Sequence, residues 1–431
     1  MLRIIHLLPK RHILKTIGIN TYHNLRTFLS EAYYCQEIWN QRLNNPLLQK
    51  INLEEFYYEL EQKFTKTQQL NAIDIDVFAN AVQGNQFGDE LLDIVYKLRL
   101  TADTGNTPES TSHAVIRALL QFGKVEDLLN VLDDRLNYGI FLDYYTANLL
   151  MDTFWKSNQY AHGARIASQL MLQEELEHPL TNDFSLLHCY NYLKNPSGWP
   201  EYSPPSEPEE EVKIKVNYLR NPYDDEHFDL RSDKKMIGKT IFMISKSKQD
   251  PLNLSFQILG LALFGKDKEA LDISKNVNVV LVKEILDLIP EDSKVKKAIS
   301  ELKLESDTNV GEILIKNVKH SVEKCSESDI SKQCEMFEKW QQERVRLLEE
   351  QKQRLTTAKR LETIEDLKKA LKDKEEKLWF FENEEKIDLD IEAKQKFYPR
   401  RWFGHRKRHR QIDTDYVPPE IMKKHSSGSI G

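Results

Sequence analysis

The chain has 431 residues, 40% of them hydrophobic, and a formal charge of −7, which gives room for two to three domains with a real core and excludes a wholly disordered chain. Its four cysteines, at 35, 189, 325 and 334, form no C-x-x-C pair; this excludes a disulfide-framed scaffold and suits a reducing compartment or unpaired thiols. No run of about twenty apolar residues occurs, so no membrane-spanning helix is expected.

Residues 1–30 contain Arg3, Lys10, Arg11, Lys15 and Arg26, with Glu31 the first acidic residue. Interleaved Leu2, Ile4, Ile5, Leu7, Leu8, Ile13 and Leu14 make this a basic amphipathic stretch with the composition of a mitochondrial import sequence. A basic first helix of the folded domain is the alternative. From 31 to about 100 the pattern is helical, with Trp39, Phe56, Tyr57, Leu60 and Phe64 as large apolar groups. No chemistry is read there.

Residues 110–178 carry two back-to-back copies of one pattern. A shift of thirty-five places lays Ile116 on Met151, Leu119 on Phe154, Leu129 on Ala164 and Leu132 on Ala167. Each copy reads as two amphipathic helices, at 110–121 with 125–137 and at 145–156 with 160–172, and Gly123 or Asn158 breaks each pair. Gly139 falls where a helix end takes positive φ without a Cβ penalty. Paired helices at this period indicate a solenoid, because one hairpin cannot bury its own apolar face. Gly123-Lys124, Leu128-Leu129, Gly139-Ile140 and Asp143 resemble the pentatricopeptide repeat, with Leu142 in place of its usual proline. A degraded copy precedes at Phe87-Gly88 and Leu91–Leu98, and another follows at 255–273.

Residues 195–212 are rich in proline and glutamate and read as an exposed linker. Residues 213–250 are mixed and are not placed. Gly260 to Asp267 nearly spells a phosphate-binding loop, but Asp267 stands where a Ser or Thr should hold magnesium, and the repeat reading accounts for both Gly260 and Gly265. Residues 329–386 consist largely of Glu, Lys, Gln, Arg and Leu and read as one long helix. Its apolar stripe (Phe337, Trp340, Leu347, Leu348, Leu355, Ala358, Leu361, Ile364 and Leu371) is too broken for a regular dimeric coiled coil, so a helix lying across a partner or pairing within the chain is at least as well supported.

Residues 394–410 hold eight Lys/Arg, four aromatics and no acid. Without them the remaining chain is near −15, so the positive field is concentrated at one end. Lys394, Lys396, Arg400, Arg401, Arg406, Lys407, Arg408 and Arg410 can neutralise phosphates, while Tyr398, Trp402 and Phe403 can stack on bases. A solvated or membrane-surface charge run is the bland alternative. His405 and His409 share a spacing that suits metal, yet Arg406, Arg408 and Arg410 repel a cation. His113 and Asn148 stand at equivalent places in the two copies, at the position that helps choose the base in RNA-reading pentatricopeptide proteins, and are the candidate base readers. No nucleophile, base or metal constellation appears, so no catalytic residue, cofactor, metal or small-molecule substrate is expected.

Tyr138-Gly139-Ile140-Phe141, Asp143, Asn148-Leu149-Leu150-Met151-Asp152, Phe154 and Met171-Leu172-Gln173-Glu174 resemble the pentatricopeptide-repeat protein of the mitochondrial small ribosomal subunit, the small-subunit protein twenty-seven family. Tyr96-Lys97-Leu98-Arg99, Leu261 to Lys266 and the Trp340 helix recur there in the same order, so that the resemblance spans about 30–355. It implies a non-enzymatic structural component of the mitochondrial ribosome in the matrix, binding small-subunit rRNA and neighbouring small-subunit proteins. The basic aromatic tail departs from that family's pattern. The expected organisation is all-α: an import sequence (1–30), helical repeats (31–194), an acidic Pro-rich linker (195–212), a mixed segment with further repeats (213–310), a long charged helix (311–390) and a basic extended tail (391–431). A free mitochondrial RNA-binding factor acting on transcripts or translation, and a protein-only helical adaptor, are the competing functions.

Overall fold

The computed structural model describes residues 27–200, 227, 230–276, 281–291, 293–299, 304–305 and 309–394. The import-sequence reading of 1–30 lies outside these residues except at 27–30. The same holds for 201–212 of the linker and for the tail beyond Lys394. The chain divides into two units, Met1–Gln351 and Lys352–Gly431. The described residues are helical throughout, apart from loops and a two-residue parallel pairing of Leu281–Val282 with Leu304–Glu305.

In the first unit the repeat pattern becomes helical hairpins: Glu109–Gln121 with Val125–Asp133, and Tyr144–Lys156 with Tyr160–Gln173. All eight residues aligned by the thirty-five-place shift are buried. The turns are set by backbone chemistry. Gly123 (φ 71°) and Asn158 (φ 56°) take the left-handed conformation at which glycine and asparagine are least penalised. The following amides return to the helix end, Lys124 N to Leu119 O at 3.0 Å and Gln159 N to Phe154 O at 2.9 Å. Asp143 caps the next helix reciprocally: its carboxylate accepts from Thr146 N at 2.8 Å while the Thr146 hydroxyl accepts from Asp143 N at 3.3 Å.

The series extends in both directions. Before it lie Ala72–Ala81 and Gly88–Arg99. After it come Pro179–Lys194, then Asp233–Ser245, Pro251–Phe264 and Asp267–Asn276. The segment 125–137 is not one helix. It breaks at Asp134, whose side chain accepts from Asn137 N and starts the short Arg135–Tyr138 helix.

The charged helix is longer than its composition indicates, running from Val310 to Lys394. Within the first unit its residues Val310, Leu314, Val318, Ser321, Asp329, Gln333 and Arg344 are buried. Spaced three or four apart or in multiples of that spacing, they form one stripe facing the repeats. In the second unit no described side chain of 352–394 is buried. Leu355, Leu361, Ile364 and Leu371 are exposed there, and good helix formers with alternating charge support the helix without a core.

Candidate nucleic-acid interface

The thirty-five-residue period brings Phe78, His113, Asn148 and Asp183 to equivalent places on the first helices of successive hairpins. All four are buried. What covers them is the chain itself: Phe56 and Tyr57 lie against Phe78, while the segment around 28–39 and the 310–351 stretch of the long helix supply the partners of His113, Asn148 and Asp183.

His113 lies among Trp39, Tyr145, Phe337 and Trp340, at ring-centroid distances of 5.0, 5.9, 5.3 and 5.1 Å. Burial first, then the nearby Arg117 and Arg42 guanidiniums, push its pKa well below the ordinary histidine value, so the ring is neutral. Asn148 donates to the Tyr33 hydroxyl at 3.1 Å and accepts from Thr181 Oγ1 at 2.9 Å. Asp183 accepts from Ser321 Oγ at 2.5 Å. The two base-reading candidates therefore stand inside the protein, with their faces taken by its own aromatic rings and hydroxyls.

Polar latches fix this arrangement. Tyr33 donates to Asp329 at 3.0 Å, and His178 Nε2 lies 3.1 Å from the other oxygen of that carboxylate, so one buried residue of the long helix ties the N-terminal segment to the repeats. Asp152 accepts from Phe28 N, Leu29 N and the Tyr34 hydroxyl, at 3.1, 3.3 and 2.6 Å. Arg117 stands thirty-five residues before Asp152 and reaches the same segment, donating to Tyr34 O at 2.7 Å. Farther along, Arg344 Nε lies 2.6 Å from Asp76 Oδ2, with both residues buried.

None of these latch residues stands out in the sequence, where charged residues on an acidic chain read as solvated. One signal was available. Ser321, Asp329, Gln333 and Arg344 share the three-to-four spacing of Phe337, Trp340 and Leu348, so the stripe is continuous once its polar members are counted.

Other candidates resolve into packing. Gly265 ends the Pro251–Phe264 helix at φ 93°, with Lys266 N returning to Leu261 O at 2.9 Å. A Cβ on Gly260 would lie 2.7 Å from Gly238 O and 2.8 Å from Phe242 N. Both glycines of the near-match to a phosphate loop are thus used by the helix end and by a close helix crossing. Burial pushes the Cys189 thiol up to about 12, which leaves it protonated and unreactive. Among the described residues no group of His, Cys, Asp or Glu has metal-holding geometry, and no helix is long and apolar enough to cross a membrane. Lys394 ends the long helix. Lys396, Tyr398, Arg400, Arg401, Trp402, Phe403, Arg406, Lys407, Arg408 and Arg410 lie outside the described residues, as do His405 and His409.

The buried histidines set a pH expectation. His188 is fully buried, its Nε2 is 2.9 Å from Met151 O, and burial pushes its pKa down to about 4. In the unfolded chain it titrates near the ordinary value of about 6.5. Between these values the unfolded chain takes up a proton that the folded protein refuses, so this stability is fully present above about pH 6.5 and is lost as pH falls toward 4. His113 acts in the same direction. The ring-proton resonances of His113 and His188 should not move between pH 7.5 and 5.5, while urea midpoints fall over that interval. A histidine at either site titrating near 6.5 would contradict the burial described.

The described residues thus form an all-α protein of stacked helical hairpins, with much of the repeat row covered by other segments of the same chain. The family model of mitochondrial 28S ribosomal protein S27 matches residues 4–370. The chain belongs to that family, which places it in the small subunit of the mitochondrial ribosome, in the matrix.

Proposed function

We propose that the protein is a non-enzymatic structural component of the small subunit, working without a cofactor, which binds small-subunit rRNA and neighbouring ribosomal proteins in support of mitochondrial translation. Its anchor on RNA is the 394–410 segment, and its repeats act as a shaped scaffold. The observation that carries this reading is the contrast between two sets of residues. The equivalent row on the first helices is buried under the chain's own side chains, whereas 394–410 concentrates eight cations and four aromatics with no acid. Phosphates attract such a segment and the released counterions drive binding, while base faces stack on its rings.

The test is RNA binding by the intact chain and by a truncation after Lys394, at several salt concentrations. If about half of the eight cations engage, the logarithm of affinity should fall with log salt at a slope of roughly −3 to −4 for the intact chain. Truncation should cost about tenfold or more at low salt and flatten the slope. Replacing Tyr398, Trp402 and Phe403 by Ala should lower affinity with a smaller change in slope, because stacking is largely non-ionic. Unchanged affinity and slope on truncation would refute the anchor.

A further inference from the structure

A cavity of about 640 Å³ opens beside the covered row, between the starts of the Glu109–Gln121 and Tyr144–Lys156 helices and the 332–340 stretch of the long helix. It is the size of a small-ligand site, and nothing in the scaffold reading uses it. Its lining includes Arg99, which donates to Leu136 O and Thr104 Oγ1, and the carboxylates of Asp143 and Glu335; two further sets of polar groups carry the argument. Glu109 and Glu175 present carboxylate acceptors with no ion-pair partner among the described residues. Gln333 and Trp340 line it with donors, Gln333 Nε2 and Trp340 Nε1, that are buried and have no hydrogen-bond partner in the structure. Gln333 is 4% exposed. A buried donor without a partner costs free energy that a ligand acceptor recovers. Lys332 and Lys339 stand at the rim, exposed and outside any ion pair with a described residue.

We propose that this cavity receives one unstacked base of an RNA strand, guanine in preference to the others, with the strand's phosphates held at the rim by Lys332 and Lys339. The inference rests on the RNA-binding reading above. Glu109, Asp143, Glu175 and Glu335 outnumber Arg99 in the lining, so the interior disfavours a phosphate and a nucleotide enters base first. Guanine alone pairs adjacent donors, N1–H and N2–H2, with acceptors at O6 and N7. Its donors match Glu109 or Glu175, and its acceptors match the unused amide of Gln333 and indole of Trp340 once those side chains turn to it. The Trp340 and Tyr144 rings and the half-exposed Phe141 supply the flat and apolar walls on which an extruded base is held. A cationic peptide side chain would satisfy the carboxylates but would leave both donors unpaired, which is why a base fits better.

The test uses the full-length chain and three hexaribonucleotides, UUUGUU, UUUAUU and UUUUUU, with rRNA binding measured on the same preparation. The guanosine hexamer should bind about tenfold tighter than the other two, the size of one good two-point base contact. Gln333→Leu should cut that ratio by more than half, since one of the acceptor contacts is lost, while keeping or raising the melting temperature, because an apolar side chain of similar size removes an unsatisfied amide. A residue with a merely structural role would not move the ratio. Lys332→Glu with Lys339→Glu should weaken all three hexamers alike and leave the ratio intact. Equal binding of the hexamers by a chain that binds rRNA would overturn the cavity assignment alone. Loss of rRNA binding with the guanosine preference retained would overturn the anchor reading alone. If an arginine hexapeptide displaces nothing from the wild type yet binds it in a Glu175-dependent way, with hexamers unaffected by Gln333→Leu, the cavity is a peptide site and the proposal fails.

Discussion

Arg344→Met is expected to destabilise the first unit by about 3–5 kcal/mol, the usual consequence of removing one partner from a buried ion pair. Arg344 and Asp76 are both almost fully buried, 4% and 0% exposed, and Arg344 Nε lies 2.6 Å from the carboxylate. Asp76 also accepts from Thr111 Oγ1 and Asn80 Nδ2, each at 3.0 Å, and from the Ser110 hydroxyl. These neutral donors orient the carboxylate but do not neutralise it, so loss of the guanidinium strands a charge in the interior. Denaturant unfolding gives the size of the effect. Hydrogen exchange should show where it falls, with amides around 337–351 losing protection before those of the hairpins, because Gln351 and Leu348 hold the same end through Asp74 and a small cluster at Leu48, Val77 and Ala81. Adding Asp76→Asn to Arg344→Met should restore part of the loss, since it removes the stranded charge while the amide oxygen still accepts from Ser110, Thr111 and Asn80. A single-variant cost below about 1 kcal/mol would mean that water reaches the pair and that this latch does not hold the helix on the repeats.

Gly260→Ala is expected to cost about 2–3 kcal/mol or more, as overpacking at a rigid contact does. The obstacle is backbone: the added methyl meets Gly238 O at 2.7 Å and Phe242 N at 2.8 Å, so the Asp233–Ser245 and Pro251–Phe264 helices must separate. No rotamer relieves that clash. Lys266→Ala, by contrast, removes a half-exposed side chain from the helix turn and should change stability by well under 1 kcal/mol. The pair separates two readings of one stretch. A phosphate-binding loop would lose nucleotide affinity with either substitution, whereas a helix crossing is sensitive at Gly260 and indifferent at Lys266. Thermal unfolding with and without magnesium nucleotide decides between them, and a nucleotide-dependent rise in midpoint that vanishes in Lys266→Ala would restore the phosphate loop.

Local chemistry made the hairpins legible. Helix starts and stops at 109, 121, 144, 156, 160 and 173 follow from apolar spacing, from the Asp143 cap and from residues that accept positive φ at 123, 139 and 158. These preferences act within four or five residues, which is the range that a sequence pattern samples. The break at Asp134 is not legible in the sequence, because a side-chain cap to Asn137 competes there with an otherwise unbroken apolar pattern.

The sequence by itself determined the paired helices, their period, the family and the long helix, since each rests on propensity, spacing or motif. Only the tertiary structure decided what the equivalent positions do. His113 and Asn148, expected from their spacing to read bases, are buried by contacts to Tyr33, Trp39, Phe337 and Trp340. Those partners lie from 74 to more than 220 positions away in the chain. Helical spacing tells which side of a helix a residue is on, but it carries no information about which distant segment will cover that side. That choice is made by the sum of many small burial and hydrogen-bond terms across the whole unit. Asp76, Asp152, Asp329 and Arg344 show the same limit, for a charged residue on an acidic chain reads as solvated until a partner far along the chain takes it out of water.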